Sequence, residues 1–321
     1  MNIPIVDIAR CGLTVESEEK VSEADLFDIG KKLYEAFSSS GFAYVTNHGI
    51  PDEIIKDLNK VGEEFFSHSL EYKMKFASKS IGLCYDNYQS FQANLERPHD
   101  MNEGIRFPAN MGDNEWPDVD NLKVRVTEMQ RLCRILLMRV LKALGRAMRL
   151  SDKNLFAKSH ELVGKDGNTS CFKFINYPAL GPGVEILENQ IRCGEHTDFG
   201  SLTFLFQDDI GGLQVKTLDG NFVDVRPIPG TMLVNVGEML HYWSGQRLKA
   251  TVHRVVNPTD ESRKMKPRRS FVYFANVDND VSLDELDFDD DLRKNGKHEA
   301  ITSLELFNRL FAMKCHNNQK N

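Results

Sequence analysis

The stretch EHTDFGSLTFLFQDDIGGLQV, residues 195–215, is the part of this chain that decides the fold. It holds two short apolar runs separated by aspartate and glycine residues, and the same pattern continues on both sides of it. Eight such runs are bounded by Gly, Pro, Asp and Asn: 171–176, 191–196, 201–206, 212–216, 221–225, 231–236, 251–256 and 270–275. Short strands at this spacing predict a β-sandwich or jelly roll.

The beginning of this stretch also predicts a metal site. Residues two apart on a strand point to the same face, so His196 and Asp198 can reach one ion while Thr197 turns away. His253, on a later predicted strand, would add a second imidazole. Two histidines and one carboxylate leave coordination positions open on one side of the ion, which suits non-haem Fe(II) oxygen chemistry.

A possible carboxylate anchor follows the same alternation. Arg268 and Ser270 share a face of their predicted strand, so a guanidinium and a hydroxyl can together hold a carboxylate beside the metal. Arg269, the next residue, is the competing anchor. Strand alternation favours Arg268, since only Arg268 shares a face with Ser270.

These motifs together resemble a known family. Residues 195–215 resemble the core of the 2-oxoglutarate/Fe(II)-dependent dioxygenases, and in particular the isopenicillin N synthase-like branch. Residues 230–258, which contain Thr-Val-His-Arg-Val-Val around His253, resemble that family's distal-histidine segment and favour His253 over His241 as the ligand. Near the N-terminus, IPIVD (3–7) and GFAYVTNHGIP (41–51) resemble its N-terminal region. The resemblance extends from residue 3 to about residue 277, in the family's order.

The resemblance implies a fold that is mainly β with flanking helices: a double-stranded β-helix (jelly-roll) core, an N-terminal α/β region and a long supporting helix. It implies Fe²⁺, 2-oxoglutarate as cosubstrate and O₂, with ascorbate as a stimulant. His196, Asp198 and His253 would be the catalytic iron ligands, and Arg268 with Ser270 would hold the far carboxylate of 2-oxoglutarate. Related halogenases lack the carboxylate ligand, so the presence of Asp198 argues against halogenation.

Further site residues are implied by position. Asn176-Tyr177-Pro178 has one tyrosine where many plant members have two, and Tyr177 aligns as the residue expected to reach the cosubstrate or substrate, with Asn176 beside it. Phe199, together with Tyr273 or Phe274, is expected to form a wall of the substrate pocket, with core packing as the alternative. The loop Thr259–Pro267 is longer than in plant members.

Composition excludes several classes of protein. With 40 basic and 47 acidic residues the formal charge is −7, which gives no basic footprint for nucleic acid or an anionic membrane. No apolar stretch approaches the roughly 18 residues of a membrane span, and no secretory signal is visible. Six cysteines are scattered without a Cys-x-x-Cys pair, as in reduced cytosolic proteins. We therefore expect a cytoplasmic monomer that acts on a small molecule and binds neither nucleic acid nor membrane.

The chain is predicted to form one structural unit with four regions. These are an N-terminal dioxygenase region (1–118), a long helix and connector (119–168), the double-stranded β-helix catalytic core (169–280) and a C-terminal helical segment (281–321). Apolar residues at helical spacing predict helices at 22–39, after Pro51, from about 120 to 150, and at 302–313. Residues 80–118 are predicted to be irregular and to influence the choice of substrate.

Three functions remain open from the sequence. The favoured one is an oxygenase that hydroxylates, desaturates or cyclises a small molecule and releases succinate and CO₂. The second is an oxidase of the same fold that does not use 2-oxoglutarate, because isopenicillin N synthase uses an equivalent Arg-x-Ser pair for its substrate's carboxylate. The third is a non-catalytic ligand-binding member, which would be free to lose a metal ligand, and none is lost here.

Overall fold

Two β-sheets form the centre of the protein, as seen in a computed structural model that describes residues 2–77, 84–90, 92–108, 111–284, 286–288 and 300–316. The major sheet has eight strands in the order β1-β2-β10-β7-β12-β5-β4-β3, and the minor sheet has the order β6-β11-β8-β9. The strands are β1 Ile5–Asp7, β2 Phe42–Thr46, β3 Cys84–Asp86, β4 Glu103–Pro108, β5 Cys171–Tyr177, β6 Cys193–His196, β7 Leu202–Gln207, β8 Leu213–Lys216, β9 Phe222–Asp224, β10 Thr231–Val236, β11 His253–Val255 and β12 Arg268–Ala275. Each of the eight predicted runs overlaps one of the strands from β5 to β12, and the predicted jelly-roll core is confirmed.

Helices flank the sheets. They are α1 Glu23–Ser39, α2 Asp52–Ser67, α3 Leu70–Met74, α4 Leu122–Ala147, α5 Leu155–Lys158, α6 Glu238–Trp243, α7 Glu261–Lys264 and α8 Ser303–His316. The long α4 buries a stripe of apolar side chains against the major sheet, because Leu, Val and Met recur at helical spacing along it. Within the described residues no helix is long and apolar enough to cross a membrane.

The start of α1 and its contact with α4 follow from local sequence. The Ser22 hydroxyl accepts a hydrogen bond from the Asp25 backbone N–H (3.1 Å) and caps the first turn of α1. Gly30 allows α1 to lie directly against α4, since a Cβ at this position would stand 2.0 Å from the Ala143 carbonyl oxygen. These two features determine where α1 begins and how closely it packs on α4.

The prediction that 80–118 is irregular is wrong for part of this segment. Cys84–Asp86 and Glu103–Pro108 pair with each other, and the second pairs with β5 at the edge of the major sheet. Neither strand is visible in the sequence, because β3 is only three residues long and β4 mixes Gly104 and Arg106 with apolar residues. Residues 80–83, 91 and 109–110 of the segment lie outside the described residues, as do 285, 289–299 and 317–321 of the C-terminal region.

Candidate metal centre

The minor sheet brings the two predicted histidine ligands side by side. His196 is the last residue of β6 and His253 is the first of β11, and the two are direct partners in the antiparallel ladder. Asp198 lies two residues beyond the end of β6, so it belongs to the loop that follows the strand. Strand alternation had placed it on the strand itself. Its Oδ1 is 3.9 Å from His196 Nε2 and 3.8 Å from His253 Nε2. One ligand atom from each of the three residues lies within 4.8 Å of the others, which is a spacing that can hold a metal ion.

The major sheet holds the carboxylate of Asp198 in place. Thr203 Oγ1 on β7 and Asn235 Nδ2 on β10 both donate to Asp198 Oδ2, each at 2.7 Å, and these two residues are partners in the sheet. Burial alone would raise the pKa of Asp198, but the His253 and His196 side chains and these hydrogen bonds leave the pKa below its ordinary value. Asp198 is therefore an anion with one oxygen occupied and Oδ1 directed towards the imidazoles.

Backbone carbonyls orient both imidazoles. His196 Nδ1 is 2.9 Å from the Gly194 carbonyl oxygen, and His253 Nδ1 is 3.1 Å from that of Thr251. In each ring the Nδ1–H therefore donates to the backbone, which leaves the Nε2 lone pair for a cation. Phe42 packs edge-on against the His253 ring at 5.6 Å between centroids and limits its rotation.

His241, the alternative ligand, lies elsewhere. It is in α6, and its Nδ1 is 2.6 Å from the Leu248 carbonyl oxygen. The metal-ligand cluster found in the described part of the chain contains His253 and not His241.

Arg268 and Ser270 also share a face, as their spacing predicts. Arg268 is 1% exposed, its Nη1 donates to Ser270 Oγ (3.4 Å), and its Nη2 donates to Gln207 Oε1 (3.0 Å). Its guanidinium carbon lies 4.8 Å from the centre of the Tyr177 ring, and Arg268 and Tyr177 are partners across β12 and β5. Arg269 points to the other face, where its Nη2 pairs with Glu63 Oε1 at 3.2 Å. The long loop before Arg268 contains the short helix α7.

Asn176 does not join this group. It is the partner of Arg269 in the β12–β5 ladder, so its side chain is on the face opposite to Tyr177 and Arg268. There its Nδ2 donates a hydrogen bond to Glu103 Oε1 (2.9 Å). The other carboxylate oxygen of Glu103 accepts hydrogen bonds from Lys73 Nζ (2.8 Å) and from the Tyr85 hydroxyl. The prediction that Asn176 binds the cosubstrate is wrong for this reason: Asn176 belongs to a buried polar network behind the sheet.

The three aromatic pocket candidates are in different places. Phe274 is half-buried and is the partner of Thr203, the residue that holds Asp198, so it lies on the metal side of the sheet. Phe199 packs edge-on against Phe307 of α8, with 5.7 Å between ring centroids. The prediction that Tyr273 lines the pocket is wrong, because Tyr273 is 2% exposed and packs in the apolar core beside Phe204, on the α4 side.

Sequence reasoning missed several residues of the site. Thr203 and Asn235 lie within the quoted motifs, but only the pairing of β7 with β10 reveals that both reach Asp198. Glu195 was also missed: it accepts hydrogen bonds from Arg97, Arg254 and Asn94, and so fastens the segment before β4 to β6 and β11. Arg192, four residues before His196, is fully buried.

A large surface cavity is separate from this site. It has a volume of about 730 Å³ and is lined by residues of β8, β9 and the loops around Gly211 and Asp260. None of its lining residues is a predicted ligand of the metal or of a carboxylate. The donor atoms at His196, Asp198 and His253 therefore identify the functional site better than cavity size does.

Comparison with known proteins agrees with this geometry. Residues 169–277 match the 2OG-Fe(II) oxygenase superfamily, and residues 3–121 match the family described as non-haem dioxygenase in morphine synthesis N-terminal. A homoarginine-6-hydroxylase of Glycine max is 30% identical over 318 residues, which cover 93% of this chain and 92% of that protein. A proline hydroxylase of Petromyces alliaceus is 31% identical over 270 residues, covering 78% and 82%.

A solved structure is similar over almost the whole chain. It is the crystal structure of a full-length Neurospora crassa protein in complex with alpha-KG (2-oxoglutarate) and thymine. The two chains superpose with a TM-score of 0.81 at 27% identity, and the alignment covers 97% of each. They therefore share one fold over nearly their entire length.

Proposed function

This chain belongs to the 2OG-Fe(II) oxygenase superfamily, and we propose that it hydroxylates a small, charged organic molecule, using 2-oxoglutarate and O₂ and releasing succinate and CO₂. The observation that carries the proposal is the cluster of His196, Asp198 and His253, with its donor atoms within 4.8 Å of one another. The two relatives compared by sequence are named hydroxylases, which favours hydroxylation over desaturation or ring closure.

The donor set suits ferrous iron. Two neutral imidazole nitrogens and one carboxylate oxygen are the ligands of non-haem Fe(II) oxygenases, and they leave positions open for other molecules. When bound there, iron with 2-oxoglutarate and O₂ supplies an oxidant that attacks an unactivated C–H bond. The protein contributes the orientation: Gly194 and Thr251 direct the imidazoles, while Thr203 and Asn235 direct the carboxylate.

Arg268 and Ser270 are suited to hold the distal carboxylate of 2-oxoglutarate. Arg268 is buried and its Nε has no hydrogen-bond partner among the described residues, so it has donor capacity for a ligand. A guanidinium can bind a carboxylate through two parallel hydrogen bonds, which fixes orientation as well as affinity. Tyr177 lies under the guanidinium and keeps it in position.

A charged cluster supports a charged substrate. Lys173 shares a face of β5 with Tyr177, and its partner across the sheet is Arg106. Both cations bind Asp86, through Lys173 Nζ at 2.8 Å and Arg106 Nη2 at 3.1 Å. Burial opposes ionisation of Asp86, but the two cations lower its pKa to about 2, so Asp86 is an anion at neutral pH. An amino acid offers ammonium and carboxylate groups that complement such a cluster, and two of the relatives are named for homoarginine and proline.

The test is succinate release with Fe²⁺, 2-oxoglutarate and ascorbate, across a panel of amino acids, their derivatives and uncharged compounds such as thymine. We expect a charged member of the panel to stimulate succinate release and to gain one oxygen atom by mass measurement. Substrate oxidation that continues without 2-oxoglutarate would support the oxidase of the same fold instead. Absence of iron binding would support a non-catalytic ligand-binding protein.

A further inference from the structure

Arg192 is a buried cation with few hydrogen-bond partners among the described residues. It lies just before β6, and its side chain is fully buried, at 0% exposure. Its Nη2 is 3.5 Å from the Pro178 carbonyl oxygen and 3.4 Å from that of Lys266, which are long hydrogen bonds. Within the described part of the chain, its Nε and Nη1 have no hydrogen-bond partner.

The position of Arg192 is next to the proposed carboxylate anchor. Pro178 directly follows Tyr177, and Lys266 comes two residues before Arg268. Since Tyr177 and Arg268 are partners across β5 and β12, the guanidinium of Arg192 lies at the end of the ladder where Arg268 stands over the Tyr177 ring. Two guanidinium groups, at 0% and 1% exposure, thus lie in one region of the protein.

The nearby carboxylate of Asp208 offsets the charge of the two guanidinium groups only in part. Burial, and after it the charge of Arg268, lower the pKa of Arg192 to about 10, so Arg192 is still protonated at neutral pH. Asp208 interacts electrostatically with both arginines, while its carboxylate oxygens accept hydrogen bonds from the backbone N–H groups of Ile210 and Arg269. An unpaired buried charge is costly, and a second like charge adds to that cost.

Another buried arginine in this chain shows what a structural role looks like. Arg139 is 4% exposed, and its two terminal nitrogens donate to the carbonyl oxygens of Cys11, Gly12 and Val15. Among the described residues Arg192 makes only the two long hydrogen bonds, although it is more deeply buried than Arg139. The contrast indicates that the donors of Arg192 are arranged for a ligand that enters from outside.

We propose that Arg192 is a second anchor for the distal carboxylate of 2-oxoglutarate, in addition to Arg268 and Ser270. This rests on the proposed function of the site. Two guanidinium groups can surround one carboxylate with more hydrogen bonds than a single group can supply. The pocket then selects a dicarboxylic 2-oxo acid, because a 2-oxo acid without the distal carboxylate leaves two buried cations unpaired.

The experiment measures binding without turnover. Protein loaded with Mn²⁺ in place of iron is titrated with 2-oxoglutarate and with 2-oxovalerate, which has the same carbon chain but lacks the distal carboxylate, by calorimetry. For Arg192→Met we expect at least a tenfold loss of affinity for 2-oxoglutarate and less than a threefold change for 2-oxovalerate. For the control Arg139→Met we expect unchanged affinity for both.

Thermal unfolding of the ligand-free protein gives a second, independent readout. Because the ligand-free protein offers Arg192 only long hydrogen bonds among its described residues, Arg192→Met should melt at the wild-type temperature or higher, whereas Arg139→Met should melt lower. If Arg192→Met does not fold, or melts well below the wild type, the residue is structural and the proposal is overturned. Arg192→Lys keeps the charge but loses the paired donors, and we expect a smaller loss of affinity for 2-oxoglutarate than with Met.

The outcomes separate this inference from the function on which it rests. Wild-type protein that binds Mn²⁺ but not 2-oxoglutarate would contradict the proposed function itself. Equal affinity of the wild type and Arg192→Met for 2-oxoglutarate would overturn only the role of Arg192. An equal loss of affinity for both 2-oxo acids would also overturn it, because it would indicate collapse of the pocket and not loss of a carboxylate contact.

Discussion

At the scale of single residues, the neighbours of a side chain decide its role in this protein. His196 and His253 present Nε2 to the metal site because a backbone carbonyl holds Nδ1, while His241 is held in the same way by Leu248 but faces elsewhere. Asp198 has one carboxylate oxygen held by Thr203 and Asn235, and the other is directed to the imidazoles.

Metal affinity should therefore depend both on the three candidate ligands and on the residues that position them. We expect His196→Ala, Asp198→Ala and His253→Ala each to abolish high-affinity Fe²⁺ binding and turnover while the fold survives. Asn235→Ala removes only a partner of Asp198, and a loss of about 10–100-fold in affinity is expected. Anaerobic titration with Fe²⁺ measures both effects, and His241→Ala is the control that should bind as the wild type does. Loss of iron in His241→Ala with retention in His253→Ala would show that the wrong histidine has been chosen.

Binding of 2-oxoglutarate should distinguish Arg268 from its neighbour. Removing one partner of a buried charge pair costs about 2–5 kcal/mol of binding free energy. A cost of about 1.4 kcal/mol corresponds to a tenfold loss of affinity. Arg268→Ala should thus raise the KM for 2-oxoglutarate at least tenfold. Arg269→Ala loses the ion pair with Glu63, in which the Glu63 side chain is 62% exposed, so its effect should be small. The opposite ranking, measured by succinate release, would contradict the register of β12.

At the scale of secondary-structure elements, a polar clamp centred on Glu195 joins β6 and β11, the strands of the two candidate histidine ligands, to the segment before β4. Glu195 Oε1 accepts from Arg97 Nη2 (2.7 Å) and Arg254 Nη1 (2.8 Å), and its Oε2 accepts from Arg97 Nε (2.6 Å) and Asn94 Nδ2 (2.9 Å). Glu195 precedes His196 and Arg254 follows His253, so the clamp fixes the two ligands relative to each other. Burial opposes ionisation of Glu195, but the hydrogen bonds from Arg97 and Arg254 keep its pKa below the ordinary value.

Removing this clamp should loosen the metal site. Glu195→Ala leaves two half-buried guanidinium groups without a carboxylate, and losses of about 1–3 kcal/mol in the free energy of unfolding are typical of such changes. Weaker Fe²⁺ binding is expected as well, because β6 and β11 lose a shared partner. Chemical denaturation and metal titration measure the two effects, with the exposed Glu185→Ala as control. Unchanged metal affinity in Glu195→Ala would show that backbone pairing alone aligns His196 with His253.

At the scale of the whole molecule, buried polar groups link the helical layer to the sheets. His160, after α5, is fully buried, with Nδ1 2.7 Å from the Phe156 carbonyl oxygen and Nε2 2.8 Å from the Oγ of Ser201, the residue just before β7. Burial lowers its pKa from 6.5 to about 4, despite the opposing effect of the Phe156 carbonyl. His160 is therefore neutral in the folded protein at neutral pH.

Stability should consequently fall in mild acid. As the pH drops below 6.5 the unfolded chain protonates His160, while the folded protein does so only near pH 4. The stability contributed by the neutral ring is thus lost between pH 6.5 and 4, and at about 1.4 kcal/mol per pH unit the loss approaches roughly 3 kcal/mol. Denaturant unfolding across this range should show a shallower pH dependence for His160→Gln than for the wild type. Parallel profiles for the two proteins would contradict this assignment.

The sequence alone determined the features that depend on local periodicity. Short apolar runs between turn residues placed the eight core strands, because strand length and turn chemistry are encoded locally. Alternation along one strand separated Arg268 from Arg269, and the structure puts them on opposite faces. The same alternation, continued from Arg268 and Ser270 along β12, puts Tyr273 on the opposite face, and the structure shows that this face packs in the apolar core.

Only the tertiary structure decided what depends on register, burial and contacts between distant segments. Asn176 faces Glu103 because of how β5 pairs with β4 and β12, and β3 and β4 are strands because the sheet offers them an edge. Asp198 is placed by Thr203 and Asn235 and not by strand alternation. The burial of Arg192 and its long hydrogen bond to Lys266, 74 residues away in sequence, likewise leave no local signal. Only the tertiary structure shows that its Nε and Nη1 have no hydrogen-bond partner among the described residues.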